Sequence, residues 1–327
     1  MSAHNLLEIK HVKKQFTVPR GSLHAVDDVS FSVKQGETLG IVGESGCGKS
    51  TLGRVILRLQ EPTAGKILFK GMDITAFTKE EMRQMRQHMQ IIFQDPYASL
   101  NPRLTVSQII EEPLTSFNLY PTVKERKARV AELMALIGLP PSAGNAYPHE
   151  FDGGRRQRVV IARALAINPS FIVCDEPVSA LDVSVQAQIL NLMVRLQQQL
   201  GLTYMFISHD LSVVKHISNH VGVMYLGQLI EKAPKPVFFR RPLHPYSMAL
   251  LSAIPQVNVK EQKSKIILKG EISSPINPEP GCRFAPRCPF AQDACQTKDP
   301  EWKEVEADHF VACHRVEEFA QGLIYYQ

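Results

Sequence analysis

Nine consecutive residues carry the clearest chemistry in this chain. Gly43-Glu44-Ser45-Gly46-Cys47-Gly48-Lys49-Ser50-Thr51 matches G-x-x-x-x-G-K-[ST], a pattern suited to holding phosphate. Gly43, Gly46 and Gly48 let successive backbone N–H groups turn inward around phosphate oxygens. The helix that must follow adds its positive end. Lys49 is placed to bind β- and γ-phosphates and Ser50 to give its hydroxyl oxygen to Mg2+, with Ser45, Cys47 and Thr51 completing the loop. Cys47 reads as a small loop residue and not as a nucleophile, because nothing beside it marks an activated thiol.

Three further positions fit the same chemistry. Phe171-Ile172-Val173-Cys174-Asp175-Glu176 is an apolar run ending in two carboxylates. Asp175 would hold Mg2+ through water, and Glu176 would polarise an attacking water as general base. His209 follows Met205-Phe206-Ile207-Ser208, and Gln94 follows Gln90-Ile91-Ile92-Phe93. Both are polar residues at the carboxyl end of an apolar strand, where open parallel sheets bind ligands. His209 would contact the γ-phosphate, and Gln94 would sense Mg2+ or water. Each also has a plain structural reading: an acidic pair opening a turn before Pro177, a capping histidine, a polar strand end. Their coincidence with the phosphate loop favours the chemical one.

The elements that must position these residues are legible as periodicity. Leu7–Val12 and Val29–Val33 alternate as strands, and Thr38–Val42 is a short apolar run entering the loop. Helices are expected from Lys49, over about Lys79–Gln90, over 123–137 with Gly138 as cap, over Arg156–Ala166, over Val183–Gln199 and over Leu211–Ile217. Phe171–Cys174 and Thr203–Ser208 read as buried strands, and Val221–Leu226 with Gln228–Ile230 as a hairpin around Gly227. Such alternation implies an α/β core with parallel strands.

Composition narrows the class. The 327 residues are 44% hydrophobic and 21% charged, ordinary globular values, and the net charge of +5 is too weak and dispersed to call for nucleic acid. No window approaches 18 apolar residues, and Met1–Lys10 has no apolar core of signal length. The expectation is a cytoplasmic chain that reaches a membrane through partners. Past residue 233 prolines recur, and four of the six cysteines, Cys282, Cys288, Cys295 and Cys313, crowd the last fifth. In a reducing compartment such a cluster favours metal over disulfides.

Taken in order, these pieces resemble the ATP-binding subunit of an ABC transporter. Phe151-Asp152-Gly153-Gly154-Arg155-Arg156-Gln157-Arg158 looks like that family's signature motif, Ser179-Ala180-Leu181-Asp182 like its D-loop and Ile207-Ser208-His209-Asp210 like its switch-histidine loop. Gln94 falls at the Q-loop glutamine, and Phe16 where an aromatic residue stacks on adenine. The phosphate-loop run through Arg54, Asp95–Arg103, His244-Pro245-Tyr246 and Ser274-Pro275-Ile276-Asn277-Pro278 look like the peptide (dipeptide/oligopeptide) and nickel importer branch, and within it the F-type subunit. The resemblance implies a P-loop NTPase fold: a RecA-like α/β core with antiparallel β and helical subdomains, spanning 1–255 with the helical part at about 95–165. A small cysteine-rich tail module would occupy 256–327. It implies a bacterial importer ATPase, peripheral on the cytoplasmic face of the inner membrane, driving di- or oligopeptide uptake. Its partners would be a second ATPase, two permease subunits gripped near Pro96, Tyr97, Leu100 and Pro102, and, indirectly, an external binding protein. No nucleic acid is expected. The rival is a soluble ABC-type ATPase acting on DNA or ribosomes, but those tend to carry tandem cassettes or a long coiled-coil insertion.

Two departures matter. The signature has Asp152 where the family has Ser, and Arg155 where it has Gln. Paired ATPases bind two ATP molecules, each between one chain's phosphate loop and the other's signature, so Asp152, Gly153, Gly154 and Asp182 would face a partner-bound nucleotide. A carboxylate about 4 Å from a phosphate, at an effective dielectric near 20, is opposed by roughly 4 kcal/mol. The expectation is an asymmetric pair with one impaired site; the alternative is Asp152 as an ordinary helix N-cap. The cysteine spacing C-x5-C-x6-C-x17-C fits neither the paired C-x2-4-C of structural zinc nor the ferredoxin run. The resemblance implies a [4Fe–4S] cluster on Cys282, Cys288, Cys295 and Cys313, with zinc or unligated thiols as alternatives. His309 and His314 read as structural.

Overall fold

The computed structural model describes residues 5–254, 266–268, 270 and 273–324. They group into two compact units, one of residues 5–6, 34–37 and 76–207, the other of residues 7–33, 38–75 and the described residues from 208 on.

In the first unit three parallel strands, Met89–Ile92, Phe171–Asp175 and Thr203–Ile207, lie side by side with Ile91 opposite Val173 and Val173 opposite Met205. Every residue of the latter two strands is buried, which is why they read as unbroken apolar runs. The helices Pro96–Ser99, Val106–Ser116 and Val123–Leu136 pack around Gly153–Leu165. Their starts are set by local chemistry: Thr105 with Gln108 and Thr122 with Glu125 form capping boxes. Gly138, at φ 70°, donates its N–H to the Ala135 carbonyl and ends the long helix as expected. The helix expected over Lys79–Gln90 is shorter. It spans Lys79–Met85, and Met89–Ile92 instead pairs with Phe171–Cys174. Tertiary pairing of a β-branched pair, Ile91 and Ile92, outweighs the polar helical pattern before it.

The second unit has two β regions. Gly21–Lys34, Asn5–Val18, Ala64–Phe69 and Met72–Asp73 form an antiparallel sheet, with Leu7 opposite Phe69 and Ile9 opposite Ile67. In the other, Thr38–Val42 runs parallel to His220–Tyr225, which turns back antiparallel through Gln228–Pro234. Leu226 and Gly227 make that turn with positive φ. His309–Ala312 then pairs with Gln228–Pro234, and Trp302–Glu306 pairs with His309–Ala312. The tail is thus stitched to this sheet, and its Val311, Val316 and Phe319 share an apolar cluster with Leu243. The boundary expected at 255/256 lies outside the described residues. Among the described residues no helix is long and apolar enough to cross a membrane.

Candidate nucleotide site

The phosphate loop lies between the strand Thr38–Val42 and the helix Lys49–Ile56. Its shape depends on missing side chains. Gly48 precedes the helix at φ 102°, and a Cβ there would stand 2.0 Å from the Ala25 carbonyl oxygen. Gly43, at φ 152°, would meet the Met224 carbonyl oxygen at 2.2 Å. The helix begins without a side-chain cap, so backbone N–H groups at its start are not taken by a cap oxygen. Lys49 is buried, and its Nζ lies 2.8 Å from the Gly43 carbonyl, 2.9 Å from the Glu44 carbonyl and 3.7 Å from Cys47 Sγ. The ammonium therefore sits over the loop's own carbonyls. Cys47 is buried, and burial raises its thiol above the ordinary range against the pull of Lys49. Ser50 and Thr51 are half-buried at the helix start, and Ser45 and Gly46 are exposed. Phe16 is half-buried on Asn5–Val18, with Lys14 Nζ 4.9 Å from its ring centre. His209 is exposed, on a turn where the Ser208 N–H reaches the Ile41 carbonyl at 3.1 Å and Asp210 caps the next helix through the Ser212 N–H at 2.7 Å.

The first unit assembles the acidic residues. Asp175 ends its strand buried, and Glu176 follows at φ 49° with its N–H on the Ile207 carbonyl at 3.0 Å. Positive φ on a non-glycine residue is an uncommon, strained conformation that persists where surrounding structure enforces it. Gln94, exposed past Met89–Ile92, donates from Nε2 to Glu176 Oε2 at 3.0 Å and to Ser179 Oγ at 3.4 Å. Ser179 Oγ donates in turn to the Glu176 carbonyl at 3.1 Å. Two residues chosen from separate motifs, Gln94 and Glu176, are therefore brought into contact. Ser179's hydroxyl in that contact was not signalled by spacing. A glutamine amide donating to a carboxylate oxygen helps fix its orientation.

The helix Gly153–Leu165 starts with Asp152 as N-cap. Its Oδ1 accepts from the Arg155 N–H at 2.7 Å and its Oδ2 lies 3.5 Å from Arg155 Nε. The carboxylate is 65% exposed. Gly153 and Gly154 admit close neighbours: an added Cβ would meet Leu181 at 2.9 Å and Val185 at 2.6 Å respectively. Asp182 is exposed and precedes the helix Val183–Leu200.

The tail corrects an expectation. Among the described residues no three His, Cys, Asp or Glu side chains are grouped so as to hold a metal ion. Cys282, Cys288, Cys295 and Cys313 are free thiols lining one apolar cavity with Phe284 and Phe290. Burial pushes Cys282 up to about 11 and Cys313 up to about 12. The [4Fe–4S] cluster expected on these four thiols is not supported, nor is zinc, since the described residues form no metal-holding group. His309 is buried on Glu231 at 2.8 Å and His314 reaches the Lys298 carbonyl at 2.9 Å.

The second unit thus holds a strand entering a glycine-shaped phosphate loop, and the first an acidic strand end held by a glutamine. Comparison with known proteins identifies the family. The ABC transporter family matches residues 26–179, and the oligopeptide/dipeptide transporter C-terminal region matches residues 230–295. The oligopeptide transport ATP-binding protein AppF of Bacillus subtilis is 54% identical over 319 residues, covering 94% of this chain and 97% of that protein. Among solved structures, a dimeric ATP-binding cassette in a post-hydrolysis state bound to ADP and Pi superposes with a TM-score of 0.64 at 29% identity, covering 70% of this chain and 98% of that one. The cbiO1 protein of Clostridium perfringens, part of an ABC transporter complex, superposes with a TM-score of 0.65 at 27% identity, covering 72% and 91%. The chain belongs to the ABC transporter ATP-binding subunits of the oligopeptide transporter family. ATP with Mg2+ is the cofactor expected of such an ATPase, and the phosphate loop's uncapped helix start and Lys49 suit it. The soluble ATPase alternative is not favoured by these similarities.

Proposed function

We propose that this chain powers uptake of di- or oligopeptides from the cytoplasmic face of the cell membrane, as one of two unlike ATPases beneath two permease subunits fed by an external binding protein. The observation that carries the reading is similarity to an oligopeptide transport ATP-binding protein along nearly the whole chain, including the C-terminal region. In this reading Lys49 and the loop glycines hold the β- and γ-phosphates, Ser50, Asp175 and Gln94 attend Mg2+, Glu176 activates water, and His209 contacts the γ-phosphate. Phe16 stacks on adenine. Asp152, Gly153, Gly154 and Asp182 face the partner's nucleotide. The segment 95–165 receives the permease, and ATP binding and hydrolysis close and reopen the pair.

The pair is asymmetric in this account. A serine hydroxyl at position 152 could donate to a γ-phosphate, whereas the Asp152 carboxylate accepts only, and one of its oxygens already holds the Arg155 N–H. The site on this chain's own loop stays competent if the partner supplies an intact signature, and the opposite site is impaired. The test is purification of the tagged chain from gently solubilised membranes of its host. A second ATPase and two polytopic proteins are expected with it; ribosomal or DNA-repair proteins without a membrane partner would contradict the reading.

A further inference from the structure

Residue Glu44 places a carboxylate inside a loop that must hold a polyphosphate, and the tail answers it. Arg287, on the turn Ala285–Arg287, reaches Glu44 with both guanidinium ends. Its Nη1 lies 3.0 Å from Oε2 and 3.2 Å from Oε1, and its Nη2 lies 3.2 Å from Oε1. The two side chains are 10% and 27% exposed, Arg287 the more buried. Arg287 Nη1 also donates to the Tyr225 hydroxyl at 3.4 Å.

The other polar groups of Glu44 are held too. Its N–H donates to the Tyr246 hydroxyl at 3.1 Å, and its carbonyl accepts from Lys49 Nζ at 2.9 Å. Tyr225, Tyr246 and Phe284 pack ring on ring at 4.7–5.5 Å. A second tail arginine, Arg283, donates to the Asp27 carboxylate and the Leu226 carbonyl. Asp27 N–H binds the Gly227 carbonyl at 2.8 Å, and Gly227 N–H binds the Cys47 carbonyl at 2.9 Å. The tail thus reaches the loop twice, directly at Glu44 and through the turn at Gly227.

An exposed ion pair would be worth little. This one is two-pronged and mostly out of water, so removing either partner strands the other's charge. A stranded Glu44 carboxylate repels an incoming triphosphate; a stranded Arg287 attracts it. We propose that Arg287 is a positioning residue for ATP: by neutralising Glu44 it sets the phosphate loop's affinity for polyphosphate, so that the tail segment Arg283–Arg287 belongs to the nucleotide machinery. The inference rests on the ATP-binding class of the chain and not on its transported substrate.

The alternative is that the pair only anchors the tail, in which case breaking it from either side should act in the same direction. Charge acts in opposite directions, and that decides the experiment. The dissociation constant for Mg-ATP is measured on the full chain at low ionic strength. Arg287→Ala is expected to weaken binding about tenfold, and Glu44→Gln to tighten it a few-fold. The double variant Arg287→Ala/Glu44→Gln is expected to return to within about twofold of the parent. In the assembled complex Arg287→Ala should raise KM for ATP with kcat little changed. The proposal is overturned if Arg287→Ala leaves affinity unchanged, if Glu44→Gln weakens binding as Arg287→Ala does, or if the double variant fails to recover. Should Arg287→Ala fail to fold, the direction of the Glu44→Gln change decides the matter.

Discussion

Two helix starts in this chain look alike in sequence and differ in chemistry. Lys49–Ile56 follows Gly48 with no side-chain cap, while Gly153–Leu165 follows Asp152, whose carboxylate caps it through the Arg155 N–H. Both are glycine-bearing, and in the proposed function both face a phosphate. The first has no carboxylate at its start, and its lysine rests on the carbonyls of Gly43 and Glu44. The second is already satisfied by an anion of its own. A helix N-terminus attracts phosphate through unsatisfied donors and positive potential, and a carboxylate cap diminishes both. A third start marks the range: Pro245–Ser252 is capped by the neutral ring of His244, whose Nδ1 accepts from the Tyr246 N–H at 3.1 Å.

The largest effect is expected at the uncapped start. Lys49→Ala should weaken Mg-ATP binding about a hundredfold, measured by titration of the full chain; a change within a few-fold would remove the loop from the account. Next comes a pair of glycine substitutions. Gly48→Ala forces a Cβ against the Ala25 carbonyl at positive φ, whereas Gly153→Ala meets the end of the Leu181 side chain at ordinary φ. Thermal or denaturant unfolding should show Gly48→Ala losing about 2 kcal/mol more than Gly153→Ala.

The neutral cap adds a pH test. Burial lowers His244 to about 4, partly offset by the nearby Glu231 carboxylate. The unfolded chain, with an ordinary histidine, binds the proton first, so stability falls as pH drops from about 6.5 towards 4 and levels below that. At pH 5 the loss from this group should be about 2 kcal/mol relative to pH 7, and His244→Asn, which keeps a cap without a titrating ring, should remove that part of the pH dependence. The smallest effect is at the anionic cap. Asp152→Ala should cost about 1 kcal/mol, while Asp152→Ser should leave stability nearly unchanged and raise the ATPase rate of the assembled complex. An unchanged rate would remove the asymmetry from the proposed function.

Local structure was legible where local chemistry decides it. The phosphate loop is contiguous, so its glycines and lysine show the strand–loop–helix order in the sequence, and Leu211–Ile217 is a helix at the expected residues. The stretch after Lys79 misled because no glycine or proline marks the break at Arg86–His88; pairing of Met89–Ile92 with Phe171–Cys174 makes it. The tail cysteines misled differently. Spacing counts residues, whereas the placement of the four thiols around one apolar cavity is set by packing. The Glu44–Arg287 contact joins residues 243 apart and has no local signal at all.

In the proposed function this chain's own loop and Glu176 drive peptide uptake. The direct measurement reconstitutes the assembled complex, with its binding protein, in proteoliposomes and follows ATP-dependent accumulation of labelled peptide by the parent and by Glu176→Gln. The account expects accumulation by the parent and a loss of about a hundredfold or more in the variant. Uptake that survives Glu176→Gln, or ATP hydrolysis indifferent to loaded binding protein with no peptide accumulated, would contradict it.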